Sequence, residues 1–415
     1  MREPITRVDF QAGERHFVDH MAPLWFALPE ERRGGFYTGF PNPTDPRFDL
    51  AARQAKSLGI RPKPSYLPRG HEGLAVVCSV SDLAAGRREA PRTRFVFTEH
   101  GCGITYNRRG PSFLGSKERK SVDLIITPNP RAAAIQRDAT PAIRVESIGS
   151  SPRLDRWAGY THEQNTPPVV ALSFHWDSDW VLETKSALYH YRKRLDVLQG
   201  QGWEVIGHSH PRIWSTAKVV YEHWGIEPVR QFEEVMDRAD LYCVDNSSTL
   251  YEFAATDRPV VVMNCPRYRR DIHHGLRFWD HIPGIQVDEP DELAGAVALA
   301  LEDPAELRRL REEAMERVYP QRDGKAGERA AALILETLDG MTRVSQRRSM
   351  RPRWGWRVFD SAGKVVKDGM LVQYEAQAWA ERIGGSIERV RLDAGAAHAE
   401  VGMRNPEKPK AGAIR

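Results

Sequence analysis

The sequence predicts an α/β protein: two facing, doubly wound domains, each a parallel sheet with helices on both faces, followed by a small basic α+β appendage. Three observations lead there. Short apolar runs alternate with helix-spaced segments twice, over residues 73–148 and again over 168–338. The 415 residues exceed what one ordinary core fills. Charge changes near residue 341: residues 341–415 hold 15 Lys+Arg and 8 Asp+Glu, a net of +7, whereas the whole chain carries +4, which leaves −3 for the remainder. The expected division is 1–155, 156–340, 341–397 and a disordered tail, 398–415.

The first 70 residues carry the weakest pattern. Residues 5–10 suit a strand, and Arg15 to Leu28 suits a helix ended by Pro29. Residues 41–70, loaded with Pro, Gly and Arg, read as loop with at most one short helix. From Gly73 the signal sharpens, with strands over 73–80, 94–98, 122–127 and 143–148, a helix over 131–137 among them, and a turn at 149–157. The second series has strands at 168–173 and 203–207, a long basic-faced helix over 183–199 between them, and a short helix at 232–239. Residues 241–264 then read as strand, turn, helix, strand, and helices follow over 289–301, 306–318 and 324–338. In the appendage a hairpin turns at 361–363, a helix covers 374–383 and a strand covers 386–392.

An apolar fraction of 41% with 28% charged residues is ordinary for a soluble globular chain. No run of about 18 uncharged apolar residues occurs, and the opening Met1-Arg2-Glu3-Pro4 lacks the apolar core of a signal peptide. A cytoplasmic location is expected. Cys78, Cys102, Cys243 and Cys265 share no metal-ligand spacing and are expected to be reduced packing residues.

The chain is organised around the apolar run that breaks at Asp245-Asn246-Ser247-Ser248-Thr249. These are helix-capping residue types. A helix N-terminus at the carboxyl end of a parallel strand offers free N–H groups and a positive dipole end, so a phosphate is the expected guest and a merely capped helix the competing reading. Two histidines stand at matching strand ends: His100, after 94–98 and before Gly101, and His210, after 203–207. A neutral imidazole there can take a proton from a hydroxyl, and an imidazolium can hold a phosphate oxygen. His208, His273 and His274 are read as structural or surface residues.

Taken in order, His100-Gly101, the turn 149–155, His210-Pro211-Arg212, Asp245 to Ser248 and Asp323 to Ala326 resemble the CDP-glycerol glycerophosphotransferase family. More broadly they resemble the GT-B fold of nucleotide-sugar glycosyltransferases and UDP-sugar 2-epimerases. The resemblance covers about residues 73–338. It implies a GT-B-like pair of Rossmann-like domains, with 1–155 on the acceptor side and 156–340 binding the nucleotide-diphosphate donor. It implies His100 as catalytic base and His210 as an aid at the diphosphate. The donor-binding set is Arg212, Asn246, Ser247, Ser248, Thr249 and Glu252, with the serines on phosphate and Glu252 on a ribose hydroxyl. The family's Trp-His-Gly-Thr-Pro run is here Glu99-His100-Gly101-Cys102-Gly103, and Asn246 replaces a tyrosine.

The implied activity is a transferase moving glycerol phosphate or a sugar from a nucleotide-activated donor to an acceptor hydroxyl on a cell-surface polymer, glycan or similar. No cofactor and no obligate metal are expected, since a helix terminus and side chains can neutralise a leaving diphosphate. In the appendage Arg343, Arg347, Arg348, Arg351, Arg353 and Arg357 come with no intervening acid and with Trp354 and Trp356 interleaved. That pattern suits DNA or an anionic membrane surface, bound through residues 341–357, against a solvated linker. Two alternatives follow: a glycosyltransferase acting on modified bases in DNA, or a non-catalytic polyanion-binding module.

Overall fold

The computed structural model describes residues 6–39, 47–102, 115–177, 185–245, 247–267, 282–343, 353–370 and 383–392, together with Gln377, Ala380 and Glu381. Strands β1 (Val8–Gln11), β2 (Arg33–Tyr37), β3 (Pro62–Lys63), β4 (Leu74–Val77), β5 (Arg94–Thr98), β6 (Leu124–Thr127) and β7 (Arg144–Ser147) form the first sheet. Their order is β3-β2-β1-β4-β5-β6-β7, with every neighbouring pair parallel. Helices α1 (Arg15–Ala27), α2 (Arg47–Ser57), α3 (Val80–Glu89) and α4 (Pro130–Ala139) connect them. Local chemistry sets two of the starts. Ser79 accepts from the Asp82 N–H at the head of α3, and Asn129 accepts from the Ala132 N–H at the head of α4.

The second sheet repeats the plan. It comprises β8 (Val169–Phe174), β9 (Glu204–Ser209), β10 (Glu227–Pro228), β11 (Leu241–Val244), β12 (Val260–Met263) and β13 (Ile285–Val287). Their order is β10-β9-β8-β11-β12-β13, again parallel throughout. The accompanying helices are α5 (Leu188–Tyr191), α6 (Trp214–His223), α7 (Phe232–Arg238), α8 (Thr249–Ala254), α9 (Leu293–Leu301), α10 (Ala305–Val318) and α11 (Ala326–Arg343). In both sheets the strand order reverses beside the first strand, and a crevice opens at the carboxyl ends next to such a switch point. The GT-B-like α/β architecture is therefore the one observed.

Alternation along the strands divides each sheet between two cores. Leu74, Val76, Val96, Leu124 and Ile126 face α1 and α11, while Ala75, Val77, Phe95, Phe97 and Ile125 face the other side with Leu83 and Ala133. In the second sheet Val170, Leu172, Leu241 and Cys243 oppose Val169, Ala171, Tyr242 and Val244. Helix α11 follows the second sheet in sequence but packs into the first sheet's core through Ala326, Ala330, Ile334 and Leu338. The Asp155 carboxylate fixes its start by accepting the Ala326 and Gly327 N–H groups. The four cysteines are buried and in no disulfide, as expected of reduced packing residues.

Two sequence expectations are corrected. The strand and helix expected over 5–10 and 15–28 are present as β1 and α1, but the first 70 residues also contribute two parallel strands that were not expected, β2 and β3, and the one helix allowed within 41–70 is the 11-residue α2. Strand β2 was hidden by Gly34-Gly35, where a Cβ on Gly34 would fall 2.6 Å from Asp9 Oδ1. The long helix expected over 183–199 is only the four-residue α5 and a single 3-10 turn at Leu195–Leu198. Tyr191, whose hydroxyl donates to the Val287 carbonyl at 2.7 Å, ties the segment to the end of β13, and that packing overrides the helical propensity of Arg192-Lys193-Arg194.

The appendage forms an antiparallel sheet in the order β15-β14-β16, from β14 (Arg353–Phe359), β15 (Val365–Met370) and β16 (Ser386–Leu392). Its hairpin turns where expected, with the Gly363 N–H donating to the Asp360 carbonyl. Arg347, Arg348 and Arg351 lie outside the described residues, as do His273, His274, the tail 398–415 and most of the expected helix 374–383. Among the described residues no helix is long and apolar enough to cross a membrane.

Candidate active site

The loops after β1, β5, β8, β9 and β11 converge where the two sheets face each other, and histidines crowd that point. His100 follows β5, and its Nδ1 lies 2.6 Å from the Cys78 carbonyl oxygen. A carbonyl can only accept, so Nδ1 carries the proton and Nε2 of the neutral ring is a free base. Solvent reaches the ring. Even so, desolvation by the surrounding protein lowers its pKa, against the pull of Glu99 and the Cys78 bond, and keeps it neutral near pH 7.

His210 has the opposite arrangement. Its Nδ1 accepts from the Arg212 backbone N–H at 3.2 Å, so in the neutral ring Nε2 carries the proton and is a donor. Burial, then His175, His16 and Arg212, push its pKa well below the ordinary value. The Arg212 guanidinium sits 4.5 Å from the Trp176 ring centroid and pairs with Glu14 Oε1 at 2.9 Å, across from the other domain.

The turn expected to bind the donor follows β11. Ser248 is the N-cap position of α8 and makes no side-chain cap bond. Ser247 is buried and accepts from the Thr249 hydroxyl at 2.9 Å, and Thr249 in turn bonds the Tyr242 hydroxyl at 3.0 Å. Asn246 lies outside the described residues. The structure brings His100 directly to this turn. Gly101 has φ +82°, and a Cβ there would fall 2.7 Å from Ser248 Oγ, so glycine is required both by the backbone and by the close approach.

Glu252, expected to accept a ribose hydroxyl, is instead fully buried. Its Oε2 accepts from Arg153 at 3.0 Å, and its Oε1 has no hydrogen-bond partner and lies 4.0 Å from His20 Nδ1. A carboxylate in a dry interface needs a cation, and this one is turned to Arg153 rather than to solvent. Burial, opposed by Arg153, pushes its pKa up to about 7. Arg153 also holds Glu233 at 2.8 Å, and Asp19 and Arg15 of α1 complete the charged layer between the domains. Burial alone would lower the Arg153 pKa, but Glu233 and Glu252 outweigh it and keep the guanidinium charged.

Several site residues were missed from sequence. His16 and His20 of α1 stand 6.1 and 5.8 Å from the His100 ring, and His16 is 5.2 Å from His210. His175, after β8, is 5.1 Å from His210. Signals existed: His16 and His20 have the i, i+4 spacing of one helix face, and His175 ends a strand just as His100 does. His208 is buried and bonded to Ser173, a packing residue as expected. The sequence reading also passed over Asp177-Ser178-Asp179 beyond β8. Asp177 there accepts from the Ser186 N–H and pairs with Arg267. Among the described residues no group of three or more His, Cys, Asp or Glu side chains could hold a metal ion.

Comparison with known families and structures places this geometry. Residues 185–336 match the CDP-Glycerol:Poly(glycerophosphate) glycerophosphotransferase family. The resemblance read from the motifs is thus found again over most of the second domain, and on that match the chain is a transferase. The wall teichoic acid polymerase TagF is similar at 16% identity, covering 81% of this chain and 90% of that one, with a TM-score of 0.56. An MnaA–UDP co-structure from S. aureus covers 81% and 98% at 14% identity and a TM-score of 0.52. A putative UDP-N-acetylglucosamine 2-epimerase from Listeria monocytogenes covers 82% and 98% at 14% and 0.56. At these identities the likeness is one of fold. A comparison with curated proteins finds no match.

Proposed function

We propose that the chain transfers glycerol phosphate from a nucleotide-diphosphate donor of the CDP-glycerol type to an acceptor hydroxyl. The observation that carries this reading is the opposed hydrogen bonding of His100 and His210. One ring offers a free Nε2 to take a proton, the other a protonated Nε2 to hold a phosphate oxygen, and they stand on opposite domains. The acceptor oxygen attacks the β-phosphorus and its proton passes to His100 Nε2. The bond from that phosphorus to the bridging oxygen breaks, and CMP leaves. Arg212, His210, Ser247 and Ser248 hold the diphosphate, with Thr249 ordering Ser247. Neutralisation comes from these side chains and the head of α8, without a cofactor or metal. The family match over 185–336 favours glycerol phosphate over a sugar as the moved group, and we place the reaction in the cytoplasm.

The test is mass spectrometry of nucleotide release. Purified protein incubated with CDP-glycerol and a glycerol-phosphate acceptor should release CMP, whereas with UDP-sugars it should release nothing. Release of UDP instead would identify a sugar transferase, and release of neither nucleotide would overturn the proposal.

A further inference from the structure

The imidazole of His16 is unaccounted for by the two-histidine scheme, although it lies between the other two. Its ring centroid is 5.2 Å from that of His210 and 6.1 Å from that of His100. Its Nδ1 is buried and has no hydrogen-bond partner, an exception in folded proteins that calls for a reason. Glu14 sits beside it. Glu14 Oε1 is bonded to Arg212 at 2.9 Å, and Oε2 is 3.6 Å from His16 Nδ1, too far for a hydrogen bond. Glu14 is also the N-cap residue of α1, yet its side chain makes no cap bond and reaches across to the second domain.

We propose that His16 is a third imidazole of the active site, contacting the phosphoryl oxygens of the group in transfer, and that Glu14 is its positioning residue. The proposal rests on the transferase reading above and goes beyond it. The donor's diphosphate and Glu14 are both anions suited to Arg212. When a phosphate oxygen takes the guanidinium, the freed carboxylate can close the remaining gap and accept the His16 Nδ1–H. A charged ring then presents Nε2–H to the phosphoryl group.

His16 faces Glu14 on its own loop, His100 from β5, His175 from β8, His210 and Arg212 from β9, and Arg153 from the interdomain turn. Burial first, then His100, Arg212, Arg153 and His175, hold it neutral in this arrangement. An entering diphosphate offsets the positive neighbours, so ligand binding should draw one proton from the buffer onto His16.

Calorimetric titration with CDP at pH 7.5, in buffers of differing ionisation enthalpy, measures that proton directly. Wild-type protein should take up about one proton per CDP bound, His16→Gln close to none, and Glu14→Gln an intermediate amount. A second readout, independent of how His16→Gln packs, is 15N-histidine NMR of the wild type: CDP should convert the His16 ring from the neutral to the imidazolium pattern. Undiminished uptake in His16→Gln, or a His16 ring that stays neutral while CDP binds, overturns the inference and leaves the transferase reading standing. Failure of the wild type to bind CDP at all overturns both.

Discussion

Arg153→Met removes the cation around which the interdomain charge layer is arranged, and the structure fixes both the size and the pH dependence of the effect. Burial alone would raise the Glu233 pKa, but Arg153 holds it at about 2 against an ordinary value of 4.5. At 1.36 kcal/mol per unit that depression is worth roughly 3 kcal/mol. A depressed carboxylate stabilises the fold above its unfolded value, and the contribution is lost as pH falls through about 2. Glu252 behaves in the opposite sense. Its folded pKa is raised to about 7, so the stability of its neutral form is complete below 4.5 and lost as pH rises through 7. Without Arg153 its pKa rises further, and the native state is penalised more at higher pH. The variant should therefore lose about 3–5 kcal/mol at pH 8, the usual cost of breaking a buried pair from one side, and distinctly less at pH 5. Adding Glu252→Gln should restore part of the loss at pH 8 and none at pH 5. Urea unfolding followed by tryptophan fluorescence at both pH values measures this. A loss under about 1 kcal/mol at pH 8, or equal losses at the two pH values, would refute the reasoning.

His100→Asn should reduce CMP release by about 10²- to 10⁴-fold with little change in CDP affinity. Because desolvation lowers the His100 pKa, wild-type kcat/KM should stay flat through pH 7 and decline only below the ordinary histidine range; a decline centred above that range would contradict the assignment. Ser247→Ala with Ser248→Ala should weaken CDP binding by about 1–3 kcal/mol in calorimetry, and unchanged affinity would move the phosphate seat away from this turn. Dialysis against EDTA should leave turnover as it was; loss of activity restored by a divalent cation would point to Asp177-Ser178-Asp179 as a ligand run.

The fold was legible wherever burial on both faces of a parallel sheet writes continuous apolar runs, as at Val169–Phe174 and Leu241–Val244. It was illegible where close contact replaces side-chain volume. Strand β2 has two glycines because Asp9 occupies the space a side chain on Gly34 would take and the Tyr37 and Lys63 side chains that on Gly35, and no apolar count can register that. Segment 183–199 failed for the converse reason: its composition favours a helix, and one distant bond from Tyr191 to β13 decides otherwise.

The site shows the same division. His100 and His210 were readable because strand ends are visible in sequence, whereas their complementary hydrogen bonding depends on Cys78 and Arg212 backbone groups that no motif encodes. Other family-like segments turn out to hold the two domains in register. The turn 149–155 supplies Arg153 to the charge layer and Asp155 to the head of α11, and 323–326 leads into that same helix as it returns to the first sheet. The proposed in-line transfer needs a base on one domain and a phosphate seat on the other, so under that proposal residues fixing the spacing between domains are constrained as tightly as those touching substrate. Gly101, pressed against Ser248, is where the two requirements meet in a single residue.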